Sequence, residues 1–250
     1  MSQTGFAKTL TPKKRELLEL LLKEKKQKSA GNSEKAVAAT IPRRITFSPA
    51  PVSFAQQRLW FIDQLTPGIP AFNIPAAVRL KGSLNIALLH RAFDEIIRRH
   101  ETLRTSFASQ QGTPVQVIVP SLTLQIPVVN LRTMPECERL KEVQRLVTKD
   151  CQHSFDLASP PLFRVTLVSL DENDHVLILM MHHIVGDVWS VRLLMKELAR
   201  LYEALSTAQV PSLPNLPIQY ADYAIWQREW LQGSVLETEL GDWKLSLIHI

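Results

Sequence analysis

Met181-His182-His183-Ile184-Val185-Gly186-Asp187-Val188-Trp189-Ser190 is the stretch whose reading decides the fold. It continues the run Val176-Leu177-Ile178-Leu179-Met180, which is apolar on both faces. Such a strand belongs in the middle of a covered sheet. Two adjacent histidines therefore leave the end of a buried strand and enter a loop. Side chains alternate along a strand, so His182 and His183 point to opposite faces. At most one of them faces a given cleft, and the other must be satisfied inside the protein. Adjacent histidines converge poorly on one ion, and the helical spacing of common zinc sites is absent. Pattern alone leaves two readings open. Either one histidine works in a cleft, or both are core residues and Asp187 merely caps the next helix.

Working outward, Leu162–Leu170 reads as a strand joined to His175–Met181 by the polar turn Asp171-Glu172-Asn173-Asp174, which predicts an antiparallel hairpin. Downstream, Val191, Leu194, Leu198, Leu201 and Leu205 recur at helical spacing. Asn85 is placed to cap a helix burying Leu88, Ala92, Phe93, Ile96 and Ile97. Thr102–Phe107 alternates as a strand, with Leu103, Thr105 and Phe107 on one face and Arg104 and Ser106 on the other. Phe54–Gln64 and Pro135–Gln152 read as helices. Asn73–Leu80, Val115 to Val119 and Gln125–Val129 read as strands. The last helix carries Tyr220, Tyr223, Trp226 and Trp230. This order predicts a layered α/β (α+β) domain with a largely antiparallel or mixed sheet flanked by helices.

The chain has 250 residues with a net charge of +5, but the charge is uneven. Residues 1–47 hold 11 Lys/Arg against 4 Asp/Glu, and residues 48–250 hold 18 against 20. The body therefore shows no basic, aromatic-lined face for nucleic acid. No run of about 18 apolar residues predicts a membrane span, and residues 1–11 lack an export signal. Cys137 and Cys151 fall in one helical stretch and suggest no disulfide or metal framework. A cytoplasmic setting is the expectation. Thr11-Pro12 opens an amphipathic leader helix with Leu17, Leu18, Leu21 and Leu22 on one stripe and a basic run from Lys23 to Lys28. Residues 1–28 are read as that leader, a candidate docking element, 29–51 as a linker, 52–245 as the body and 246–250 as an atypical tail of artefactual character.

His182-His183-x-x-x-Asp187 resembles the active-site motif of the superfamily that holds chloramphenicol acetyltransferase and the condensation domains of nonribosomal peptide synthetases. Three further segments resemble the condensation family in particular. They are Ser53-Phe54-Ala55-Gln56-Gln57-Arg58-Leu59-Trp60, Arg99-His100-Glu101-Thr102-Leu103-Arg104-Thr105-Ser106-Phe107, and Tyr220-Ala221-Asp222-Tyr223-Ala224-Ile225-Trp226-Gln227. The resemblance implies a peptide-bond-forming acyltransferase. The amine of a downstream aminoacyl thioester attacks an upstream acyl thioester. It implies His183 as the catalytic group and His182 as mainly structural. It also implies Asp187 paired with an arginine, for which Arg104 is the candidate, and Gly186, Val188 and Ser190 as supporting loop residues. The resemblance implies no directly bound cofactor or metal, with phosphopantetheine thioesters presented by donor and acceptor carrier domains. An adenylation domain downstream is a further implied neighbour.

Two departures stand out. The family glycine after the aspartate is Val188 here, a β-branched residue that resists positive φ. The family domain is about 450 residues in two similar lobes with the site between them, so this chain covers the first lobe and is expected to be inactive by itself. Two other functions stay in view: a non-catalytic module that docks carriers, and an acyltransferase that uses coenzyme A.

Overall fold

The computed structural model describes residues 40–45 and 49–247, with side chains described up to Lys244. The expected leader helix lies outside the described residues, as do residues 248–250. The elements in chain order are β1 (Ala50–Pro51), α1 (Phe54–Leu65), β2 (Asn73–Lys81), α2 (Ile86–Arg99), β3 (Thr105–Gln110), β4 (Thr113–Ile118), β5 (Val128–Asn130), α3 (Glu136–Cys151), β6 (Phe163–Asp171), β7 (Asp174–His182), α4 (Val188–Ser206), α5 (Tyr220–Trp230) and α6 (Gly233–Leu247). Short 3-10 turns at Pro70–Phe72 and Glu101–Arg104 precede β2 and β3.

A four-stranded sheet runs in the order β2-β7-β6-β5, and a three-stranded sheet in the order β1-β4-β3. Strands β2, β7 and β6 are antiparallel neighbours, and β5 joins β6 in parallel. The expected hairpin is present, with Asp171 opposite Asp174 and a bulge between Ser169 and Asp171. As its unbroken apolar run requires, β7 lies between two strands and is buried from His175 to His182. Its residues enter two different apolar clusters, alternating from Val176 to Leu179, with Met180 and Met181 both in the main core. Leu177, Leu179 and Met181 join the main core with Phe93 and Ile96 of α2 and Leu194 and Leu198 of α4. Val176 and Ile178 join a second cluster with Val143 of α3, Val168 and Leu170. Covering both faces in this way is what fixes the register, since a slip of one residue would exchange the two faces.

The helices begin where the sequence places their caps. The Asn85 side chain accepts a hydrogen bond from the Leu88 N–H at 3.2 Å. The buried stripe of α2 is Leu89, Ala92, Phe93, Ile96 and Ile97, as expected except in the first turn, where Leu89 is buried and Leu88 only half-buried. Two other expectations need correction. Residues 101–104 form a 3-10 turn, not the start of a strand, so the alternation read there does not place Arg104. The body also begins upstream of Val52. Ala50 and Pro51 pair with β4, and the Arg44 guanidinium bonds Asp222 at 2.9 Å and Glu101 at 2.5 Å in buried surroundings.

Candidate active site at the end of the central strand

The chain leaves β7 through a tight turn over His182–Val185, closed by the Val185 N–H donating to the His182 carbonyl at 3.1 Å. The His183 N–H donates to the Phe72 carbonyl at 2.9 Å, which ties the turn to the segment entering β2. Strand parity then separates the two histidines. His182 is 3% exposed, with Phe72 and Phe155 edge-on to its ring at 6.2 and 6.1 Å between centroids. Its Nδ1 accepts the Ile184 N–H at 3.2 Å, so the proton of the neutral ring sits on Nε2. Burial, helped by the neighbouring His183, pushes its pKa down to about 4. His182 is thus a neutral imidazole that organises the turn. His183 is exposed and opens onto a cleft of about 580 Å³.

Gly186 follows, and its conformation is not the reason for a glycine there. A Cβ at this position would meet Met181 Sδ at 2.5 Å and Ser190 Cβ at 3.2 Å. The residue must be small because the loop closes directly over the strand end. Asp187 is the N-cap of α4: its Oδ1 accepts the Ser190 N–H at 2.7 Å and the Ser190 hydroxyl at 2.6 Å. Those two bonds hold its carboxyl below the usual carboxylate range, with a smaller contribution from His183.

His183, Gly186, Asp187 and Ser190 all border the cleft, whereas His182, Arg104 and Val188 do not. The expected pairing of Asp187 with Arg104 is absent. Arg104 donates to the Val119 carbonyl at 2.5 Å and lies 3.7 Å from Glu101, and Asp187 spends its oxygen on Ser190. The 3-10 turn sends the guanidinium toward β4 instead of the loop. Val188 is not asked for a positive φ. Val188 is the first residue of α4, has no positive φ, and is 61% exposed, so a β-branched side chain is accommodated there.

Three cleft residues escaped the local reading. Gln56 of α1 is buried behind the turn, and its Nε2 donates to the Ile184 carbonyl at 3.2 Å. His100 bonds Glu197 of α4 through Nε2 at 2.7 Å, while Arg99 bonds the same carboxylate at 3.2 Å. Tyr220 exchanges a hydrogen bond with Ser53 at 2.9 Å, and burial raises its pKa. Only Gln56 left a local signal, as the third-position partner of Ser53 in a capping box. Among the described residues no cluster of His, Cys, Asp and Glu is arranged to hold a metal ion. No helix among them is long and apolar enough to cross a membrane.

A buried neutral histidine stands beside an exposed one that borders a cleft, at the end of a central strand of an α/β lobe. The comparisons give this lobe a family. The chain belongs to the condensation-domain family, whose model matches residues 48–248. It is 49% identical over 197 residues to a linear gramicidin synthase of Brevibacillus parabrevis, covering 79% of this chain and 2% of that protein. It is 42% identical to the phosphinothricin tripeptide synthetase PhsC of Streptomyces viridochromogenes over 97% of this chain and 22% of that one. The chain therefore spans only a small part of the curated relatives it matches. Among solved structures, the X-domain from teicoplanin biosynthesis is similar at a TM-score of 0.72 and 26% identity, over 82% of this chain and 44% of that one. The fold is the chloramphenicol acetyltransferase-like fold of condensation domains.

Proposed function

We propose that this chain supplies the histidine-bearing lobe of a peptide-bond-forming site that joins two carrier-bound thioesters. The observation that carries the reading is the division of labour at the strand end. His182 is held neutral and buried, and His183 is left free to meet a reactant in the cleft.

The chemistry follows from that arrangement. An α-amine has an ordinary pKa of about 8, so much of it is already nucleophilic near neutral pH. Its nitrogen attacks the acyl carbonyl of the upstream thioester, a C–N bond forms, and the C–S bond breaks. His183 takes the proton released by the attacking nitrogen and returns it to the departing thiolate. A thioester is an activated acyl group, so holding two tethered reactants in line contributes as much as proton transfer does, up to about 7–11 kcal/mol. The phosphopantetheine arms belong to the carrier substrates, and this lobe holds no cofactor of its own in the proposal. The partners are a donor and an acceptor carrier, with an adenylation domain in the same assembly line.

A second reading is a module that docks other proteins without chemistry. One observation favours it: a solved X-domain, 26% identical over 77% of this chain, occurs in complex with OxyB. The experiment that separates the readings supplies a domain of full family length with an acyl-loaded donor carrier and an aminoacyl-loaded acceptor carrier. Amide on the acceptor carrier supports condensation. Carrier binding without amide supports docking, and amide formed only from acyl coenzyme A supports a stand-alone acyltransferase.

A further inference from the structure

Gln56 has no role in the reading above, yet its side-chain amide makes three hydrogen bonds beside the cleft. It is 2% exposed. Its Oε1 accepts the Ser53 N–H at 3.0 Å. Its Nε2 donates to the Ile184 carbonyl at 3.2 Å and to Gln116 Oε1 at 3.3 Å. The amide orientation is set by these partners, because Ser53 N can only donate and Ile184 O can only accept. Gln116 is anchored in turn by its own bond to the Pro51 carbonyl at 2.8 Å. The Gln56 amide therefore has little freedom to swing, and both of its hydrogens are used.

Ile184 is the residue after His183. The other bonds to this turn come from the main chain and from His182, the residue that opens it. Among the described residues, Gln56 makes the side-chain bond that reaches the turn from another element. Strand parity decides which histidine faces the cleft, but it does not fix how far or at what angle the ring leans. That is set by the peptide plane on either side of His183. The plane before His183 is pinned by the His183 N–H on the Phe72 carbonyl, the plane after it by the Ile184 N–H on His182 Nδ1, and the next plane, between Ile184 and Val185, by Gln56 on the Ile184 carbonyl.

We propose that Gln56 is a positioning residue for the condensation step: by holding the Ile184 carbonyl against α1, it aims the His183 imidazole into the cleft. The proposal rests on the reading of His183 as the proton acceptor. Displacing a reacting group by about 1 Å can cost about a hundredfold in rate. A loss of the tether should therefore lower turnover more than carrier binding, since the Gln56 side chain is 2% exposed and its amide is spent on protein partners.

The test compares four variants in a domain of full family length: Gln56→Met, Gln56→Glu, His183→Ala and Leu170→Ala. Gln56→Met keeps the volume and removes every polar bond. Gln56→Glu keeps the acceptor for Ser53 and removes the donors to Ile184 and Gln116. Leu170 sits in the second apolar cluster, away from the cleft, and serves as the stability control. The expected result is a 10- to 100-fold fall in kcat for both Gln56 variants, with KM for each carrier within twofold of wild type. Leu170→Ala should keep its kcat at an equal or larger loss of Tm. Wild-type kcat in Gln56→Met with His183→Ala inactive overturns the positioning role and leaves the proposed chemistry standing. Wild-type turnover in His183→Ala overturns that chemistry itself. If neither Gln56 variant folds, the wild-type chain decides: slowly exchanging Gln56 amide protons with nuclear Overhauser contacts to Ile184 support the tether, and their absence refutes it.

Discussion

Replacing Asp187 tests whether the motif aspartate acts as a helix cap or as half of an ion pair. In the structure its carboxylate accepts two bonds from Ser190 and none from arginine among the described residues. Loss of an N-cap costs about 1 kcal/mol, whereas breaking a buried ion pair costs about 3–5 kcal/mol. Asp187→Ala should therefore lower stability by about 1 kcal/mol, a Tm shift of about 2–4 °C for a domain of this size. Asp187→Asn should cost only a few tenths, because asparagine caps as well as aspartate does. Arg104→Ala breaks a separate bond to Val119, so the double variant should show additive losses within about 0.5 kcal/mol. The pH dependence has a definite sign. The folded carboxyl is held below its unfolded value, so its contribution is full above the unfolded carboxylate range and disappears as pH falls through the folded value. Urea unfolding of the four proteins in the cycle and of Asp187→Asn, repeated across pH, measures all of this. A coupling energy above about 1 kcal/mol between Asp187 and Arg104 would refute the cap and restore the ion pair.

Three other outcomes follow from the same geometry. Because burial holds the His182 pKa at about 4, below its unfolded value near 6.5, its neutral form stabilises the fold fully above about pH 6.5, and that stabilisation is lost as pH falls toward 4. Wild type should lose roughly 3 kcal/mol more than His182→Gln across that interval, by urea unfolding at each pH, and parallel curves would contradict it. Gly186→Ala should cost about 1–3 kcal/mol, because its Cβ would press on Met181 and Ser190, and a Tm within a degree of wild type would show that the loop has room to move. Arg44→Met should cost about 3–5 kcal/mol by leaving the buried Asp222 carboxylate without its arginine and Glu101 with Arg104 alone at 3.7 Å, and a loss under 1 kcal/mol would place those groups in water.

The contrast between residues that were legible and those that were not has a physical basis. The central strand, its hairpin and the opposite facing of His182 and His183 all follow from a period of two, which local sequence displays directly. The helix caps Asn85 and Asp187 were legible for the same reason, since each bonds a residue three positions on. The failures are residues whose role is set by a distant partner. Arg104 lies in a 3-10 turn whose exit is fixed by β4, and Gln56 matters because β7 ends beside it. The Arg44 bridge spans 178 residues to Asp222. Val188 misleads because a glycine in the family pattern suggests a positive φ, whereas here the position is already helical.

A pair of single-turnover rates separates the roles of the two histidines. His183→Ala and His182→Ala are placed in a domain of full family length and supplied with saturating acyl and aminoacyl carriers, with Tm recorded for each. His183→Ala should condense about 10²–10⁴-fold more slowly at a Tm close to wild type, as expected for loss of a general base. His182→Ala should lose stability first, because the Ile184 N–H and the space between Phe72 and Phe155 lose their partner. Wild-type rate in a folded His183→Ala domain, with a dead but equally stable His182→Ala, would contradict this assignment by exchanging the two roles.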